Sequence, residues 1–158
     1  HGTQVASLAA GSASSGDMTF FLNGVAPGAK LLIFDCNHDT QTDGLALPSN
    51  WASWWQHSYQ GGSRIHSASW IIGTNAKRYA TWTWTADKFV YDNPDYVAVF
   101  AAGNFGDSGY FSVLEPSTAK NVLAVGMTRS AHETYEKQCE YSVSGCQMLN
   151  HYMWVDRA

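Results

Sequence analysis

Tyr96-Val97-Ala98-Val99-Phe100-Ala101-Ala102-Gly103-Asn104 is an apolar run that closes on small residues and then on a carboxamide. A short continuous apolar stretch suits a strand covered on both faces, as in a parallel sheet, here over residues 96–102. In α/β sheets ligands sit at the carboxyl ends of strands, which here means the end at Ala101 to Asn104. Small residues there let a substrate approach the backbone. An Asn side-chain NH2 can donate to an oxygen that gains negative charge in a transition state. Gly-Asn is also a common turn, so the block needs support from its surroundings.

The flanking sequence gives that support. Before the run, residues 79–91 carry Tyr79, Trp82, Ala86, Phe89 and Val90 three or four apart and stop before Asn93-Pro94, which predicts an amphipathic helix. Residues 64–70 read as a strand ending near Gly73, and residues 121–127 as another. Residues 51–59 fit a helix with Trp51, Trp54 and Trp55 on one side. Further toward the start, residues 29–36 carry Leu31-Leu32-Ile33-Phe34 without alternation and predict one more buried strand, after the turn Gly24-Val25-Ala26-Pro27-Gly28. His1 to Gly11 is small and apolar almost all round, the pattern of a helix packed on most faces. Strands separated by helical segments imply a doubly wound α/β fold, a mostly parallel sheet with helices on both faces.

Composition agrees with a packed body. The 158 residues are 45% hydrophobic, 14% aromatic and 14% charged, which excludes disorder and coiled coil. A chain of this length buries roughly 70% of its unfolded surface, and no linker or repeat divides it. No apolar run reaches the roughly 20 residues of a membrane helix. Nine Lys+Arg against 13 Asp+Glu leave a net charge of −4, and no basic patch interleaved with aromatics suggests nucleic acid as a partner.

Four blocks in order resemble the subtilisin-like serine peptidases. His1-Gly2-Thr3-Gln4-Val5-Ala6 is similar to the family's His-Gly-Thr-His-Val-Ala segment, with Gln4 where His is usual. The turn and strand from Gly24 to Leu31 follow it, then the oxyanion block Ala101-Ala102-Gly103-Asn104, then residues 116–126 as the next strand. The longer spacing and the Trp-rich helix resemble protist subtilases more than the short bacterial forms. The resemblance implies that His1 is the general base and Asn104 the oxyanion donor. It further implies that Ser69-Trp70-Ile71 pairs with substrate backbone and that Ala101-Ala102-Gly103 floors the primary specificity pocket. Both substrate contacts would use main-chain hydrogen bonds to a polypeptide. The resemblance implies no cofactor in this chain; structural calcium is an expectation for the full-length protein. It also implies a secreted or endomembrane lumenal setting.

The family's chain order is Asp, His, Ser. Nothing precedes His1, and neither Gly2-Thr3 nor Gly73-Thr74 is followed by the Ser of the family's Gly-Thr-Ser motif. Residues 1–158 are therefore expected to be the central part of a catalytic domain, incomplete at both ends and inactive alone. Without nucleophile and acid, even an intact groove and oxyanion hole leave only about 10³–10⁴ over water. Unpaired sheet edges would then favour self-association. Two alternatives compete: a pseudopeptidase or peptide-binding module that uses only the groove, and a nucleotide-binding α/β domain, which lacks its Gly-rich turn here.

Other candidates have plainer explanations. Ser142 and Ser144 lie too close after the Gly126 strand to be the nucleophile, and Asp39-Thr40 follows the His instead of preceding it. Asp35 fits a structural acceptor. His38, Asp39, Asp43 and Gly44 lack the spacing of a calcium loop. His57, His66, His132 and His151 have no metal-site context and read as surface or packed residues. Gly11 to Gly16 lacks the Lys of a phosphate loop, and the seven Trp fit packing better than a sugar platform. Three Cys permit one internal pair, for which Cys139 and Cys146 are nearest in sequence, leaving Cys36 unpaired.

Overall fold

The computed structural model describes residues 1–12, 23–36, 46–72, 79–106 and 109–127. The expectations for Asp39 and its neighbours, for Gly73-Thr74, for Ser142 and Ser144 and for Cys139 and Cys146 fall outside these residues. The chain divides into two compact units, His1–Asn50 and Trp51–Ala158.

In the first unit, α1 covers Gly2–Ala10, with His1 as its N-cap residue. The helix ends at Gly11, whose N–H donates to the Ser7 carbonyl at 2.8 Å. The last turn of a helix leaves carbonyls without intrahelical donors. Here Val25 and Ala26 donate to the carbonyls of Leu8 and Ala9 at 3.0 and 2.8 Å, so the Gly24–Pro27 turn seals the helix end. Gly24 is needed for that approach, because a Cβ there would lie 2.6 Å from the Ser7 carbonyl oxygen. Two expectations fail in this unit. No α1 residue is buried, so small apolar residues did not signal a helix packed on most faces. Residues 29–36 form no strand, and Leu31, Leu32, Ile33 and Phe34 are all exposed. An apolar run states what a segment can bury but not which strand pairs with it, and the described residues of this unit contain no second strand.

The second unit carries the sheet. Its elements are α2 (Trp51–Gln60), β1 (Ile65–Ala68), α3 (Thr81–Asp92), β2 (Val97–Ala101) and β3 (Leu123–Val125). The strands are parallel in the order β1-β2-β3, with Ile65 opposite Val97 and Val99 opposite Leu123. This is the parallel α/β arrangement that the alternation of strands and helices predicts. Side chains alternate across the sheet, so His66, Ala68, Ala98 and Phe100 share one face. On that face α2 lays Trp51 and Trp55, whose rings lie 6.3 and 5.9 Å from Phe100. From α3, Phe89 meets Tyr96 at 5.1 Å and Trp55 at 5.4 Å. Such aromatic pairs contribute about 0.5–1.5 kcal/mol each beyond the area they bury. The opposite face presents Ile65, Val97, Leu123 and Val125, all exposed.

Two buried carboxylates tie the helices to the irregular segments. Asp87 on α3 accepts from the backbone N–H groups of Lys120 and Asn121, both at 2.7 Å, and from the Tyr79 hydroxyl at 2.6 Å. It therefore anchors the chain just before β3. Glu115 accepts the Ala80 N–H at 3.0 Å, satisfying a donor at the start of α3 that no neighbouring side chain caps. The other end of α3 closes at Asn93, whose side-chain amide donates to the Phe89 carbonyl at 2.8 Å before Pro94 stops the helix.

Candidate active site

The candidate residues of the second unit converge at the carboxyl ends of two neighbouring strands. β1 and β2 run parallel and in register, Ala68 opposite Phe100, so Ser69-Trp70-Ile71 and Ala101-Ala102-Gly103-Asn104 leave the sheet side by side. Trp70 is locked by edge-on contacts with Trp51 at 4.9 Å and Phe100 at 5.8 Å. Ser69 is exposed and Ile71 half-buried.

A third segment holds these two ends together. Ala102 donates to the Val125 carbonyl of β3 at 2.9 Å and accepts from the Leu114 N–H at 3.2 Å. The Ser117 hydroxyl donates to the Ala101 carbonyl at 2.6 Å. The Ile72 N–H donates to the Glu115 carbonyl at 2.8 Å, an antiparallel bridge that ties residues 114–117 to the strand beside them. The Glu115-Pro116 peptide is cis. Gly103 then adopts φ +109°, a conformation that L side chains rarely take, and turns the chain so that Asn104 stands exposed beyond the sheet end. A carboxamide held there by a braced backbone is able to donate a hydrogen bond outward.

His1 lies in the first unit, exposed at the N-terminus of α1, where its carbonyl accepts the Val5 N–H at 3.0 Å. Cys36 is a half-buried free thiol, and burial, helped by the neighbouring Asp35 carboxylate, pushes its pKa up. A reactive thiolate would need the opposite shift.

His66, read from the sequence as a surface or packed residue, is packed: three residues before Ser69, it lies between Trp54 and Trp55 against Phe100, and its Nε2 is buried without a hydrogen-bond partner. Burial pushes its pKa down to about 4, so the ring is neutral at physiological pH. Sequence reasoning missed Asp87 and Glu115. Asp87 follows Ala86 inside the apolar stripe of α3, a position where a carboxylate signals a buried hydrogen-bond role. No cluster of three His, Cys, Asp or Glu suited to a metal ion occurs among the described residues. Nor is any helix among them long and apolar enough to cross a membrane.

Comparison with known proteins supplies the family. The sequence profile of the subtilase family, peptidase S8, matches residues 1–156. The chain belongs to the subtilase family. Three proteins of Dictyostelium discoideum are similar to this subtilase. The serine protease/ABC transporter B family protein tagD is 33% identical over 147 residues, covering 90% of the chain and 8% of tagD. The protein tagA of the same description is 29% identical over 144 residues, covering 89% of the chain and 8% of its own length. For tagB the figures are 31% over 140 residues, 85% of the chain and 7% of tagB. The subtilase chain thus spans no more than 8% of the length of these relatives. No solved structure gives a significant match.

Proposed function

We propose that the whole protein is a serine endopeptidase and that residues 1–158 supply the base, the oxyanion donor and part of the substrate groove. The observation that carries this reading is the convergence of Ser69-Trp70-Ile71 with Ala101-Ala102-Gly103-Asn104 at one end of a parallel sheet, inside a subtilase. In this reading His1 accepts the proton of a serine hydroxyl as it attacks the peptide carbonyl and returns it to the leaving amine. The Asn104 amide donates to the carbonyl oxygen as it becomes negative. β1 is an edge strand of the described sheet, so the residues that continue it have one side not taken by β2, the requirement for adding a substrate strand. The main-chain groups of Ala102 are already engaged within the fold, which leaves Ala102 to act through shape.

The serine and its orienting acid come, in this proposal, from sequence outside residues 1–158, and these residues alone hydrolyse nothing. The names of the relatives pair a serine protease with an ABC transporter, and the family profile that this chain matches is that of a peptidase. The test is peptide hydrolysis by the full-length protein, with new termini identified by mass spectrometry. Turnover that a serine-directed inhibitor abolishes is expected. Peptide binding without any turnover would replace this reading with a pseudopeptidase.

A further inference from the structure

Beside the floor residue Gly103 there is room for a methyl group and little more. A Cβ placed on Gly103 would meet Leu114 Cγ at 3.5 Å, Leu114 Cδ1 at 3.6 Å and Ile71 Cδ1 at 3.8 Å. Two aliphatic side chains therefore converge from different segments on the one side of Gly103 toward which a side chain would project. Neither is loosely held. Leu114 is 3% exposed, its N–H donates to Ala102, and its carbonyl accepts the Ser117 N–H at 2.9 Å. Ile71 precedes Ile72, whose N–H is bonded to Glu115, the residue next to Leu114. The same bridge that braces the site thus fixes the distance between the two side chains.

Leu114 and Ile71 thus stand against the backbone of Gly103, the residue assigned above to the pocket floor. We infer that the primary specificity pocket of this protein is shallow and selects polypeptides with Gly or Ala on the acyl side of the scissile bond, Leu114 and Ile71 excluding larger residues. This rests on the groove assignment proposed above. Forcing extra methylenes into a packed site displaces side chains and costs more than the added apolar contact returns. Among the described residues, Ile71, Ala102, Gly103 and Leu114 offer a charged side chain no ion-pair partner to offset its desolvation.

The test uses the full-length protein and a set of peptides identical except for Gly, Ala, Leu, Lys or Phe on the acyl side. The kcat/KM for the Ala peptide is expected to exceed that for the Phe peptide by about 10–200-fold, the range that one misfit in an apolar pocket produces. Leu114→Ala is expected to cut the Ala-over-Phe ratio by about tenfold or more. Ile71→Ala, at a half-buried position, is expected to move the ratio the same way and serves if the core variant does not fold. A wild-type preference for Phe, Leu or Lys, or a ratio unchanged in both variants, would overturn the inference while leaving the peptidase reading intact. Failure to cleave any peptide, together with no reaction with a fluorophosphonate, would remove the peptidase reading and this inference with it.

Discussion

Replacing Asp87 should loosen the join between α3 and β3 and, through it, the braced end of β2. The Asp87 Oδ1 accepts two backbone N–H groups, those of Lys120 and Asn121, each at 2.7 Å, and Oδ2 accepts the Tyr79 hydroxyl at 2.6 Å. In Asp87→Ala the two backbone donors lose their acceptor in a site where the residue they faced is 7% exposed. Each donor left dry costs about 1–3 kcal/mol, and less to the extent that water reaches it at the exposed residues Lys120 and Asn121. Tyr79 is half-exposed, and its hydroxyl turns to solvent at little cost. The expected loss is therefore about 2–6 kcal/mol, against a total stability of about 5–15 kcal/mol for a domain. Asp87→Asn keeps Oδ1 as an acceptor and offers its NH2 to the Tyr79 oxygen, so it should lose only about 1–2 kcal/mol. Urea unfolding of dilute residues 1–158, followed by tryptophan fluorescence, separates the variants through their midpoints at constant m. If Asp87→Ala fell within about 1 kcal/mol of wild type, these bonds would not anchor β3. Equal losses in the Ala and Asn variants would instead assign the effect to charge and refute the argument from acceptor geometry.

Three further outcomes follow from the same geometry. The folded pKa of His66, about 4, lies below the ordinary 6.5, so between these values the unfolded chain binds a proton that the folded chain refuses. Stability should be complete above pH 6.5 and fall by up to about 3 kcal/mol as pH drops toward 4; urea midpoints across that window should flatten in His66→Leu, and an unchanged slope would count against a buried neutral imidazole. Asn104→Ala in the full-length protein should lower kcat by about 10²–10³ with little change in KM, the cost of one oxyanion donor; a KM effect alone would assign Asn104 to ground-state binding. Gly103→Ala has room for its methyl group but not for its backbone angle, so it should destabilise by about 1–3 kcal/mol, and a neutral effect in the same urea assay would show that the turn relaxes.

Much of the fold was legible because periodicity is local. The helix at α3 and the strands β1, β2 and β3 lie within the ranges read from apolar spacing, each trimmed by one or two residues at its ends or, for α3, shifted by that much. The convergence of Ser69-Trp70-Ile71 with the Ala-Ala-Gly-Asn block follows from the pairing of β1 with β2, since parallel neighbours deliver their carboxyl ends to one side. What failed depended on partners distant in sequence. Leu31 to Phe34 are as apolar as any strand, yet nothing in their own pattern names the neighbour that would pair with them. Asp87 and Glu115 were hidden because their backbone donors lie more than 30 residues away. Leu114 sits in an irregular segment whose position over Gly103 is set by hydrogen bonds to Ala102 and by the Ile72–Glu115 bridge, none of which has a periodic signature.

The peptidase assignment is tested most directly by the reaction of the full-length protein with a fluorophosphonate, followed by intact mass. A single covalent adduct is expected, formed at least about 10⁴-fold more slowly in His1→Ala because the serine then lacks its base. No adduct on the wild-type protein, or an adduct formed equally fast in His1→Ala, would contradict the assignment of His1 as the base of a serine peptidase.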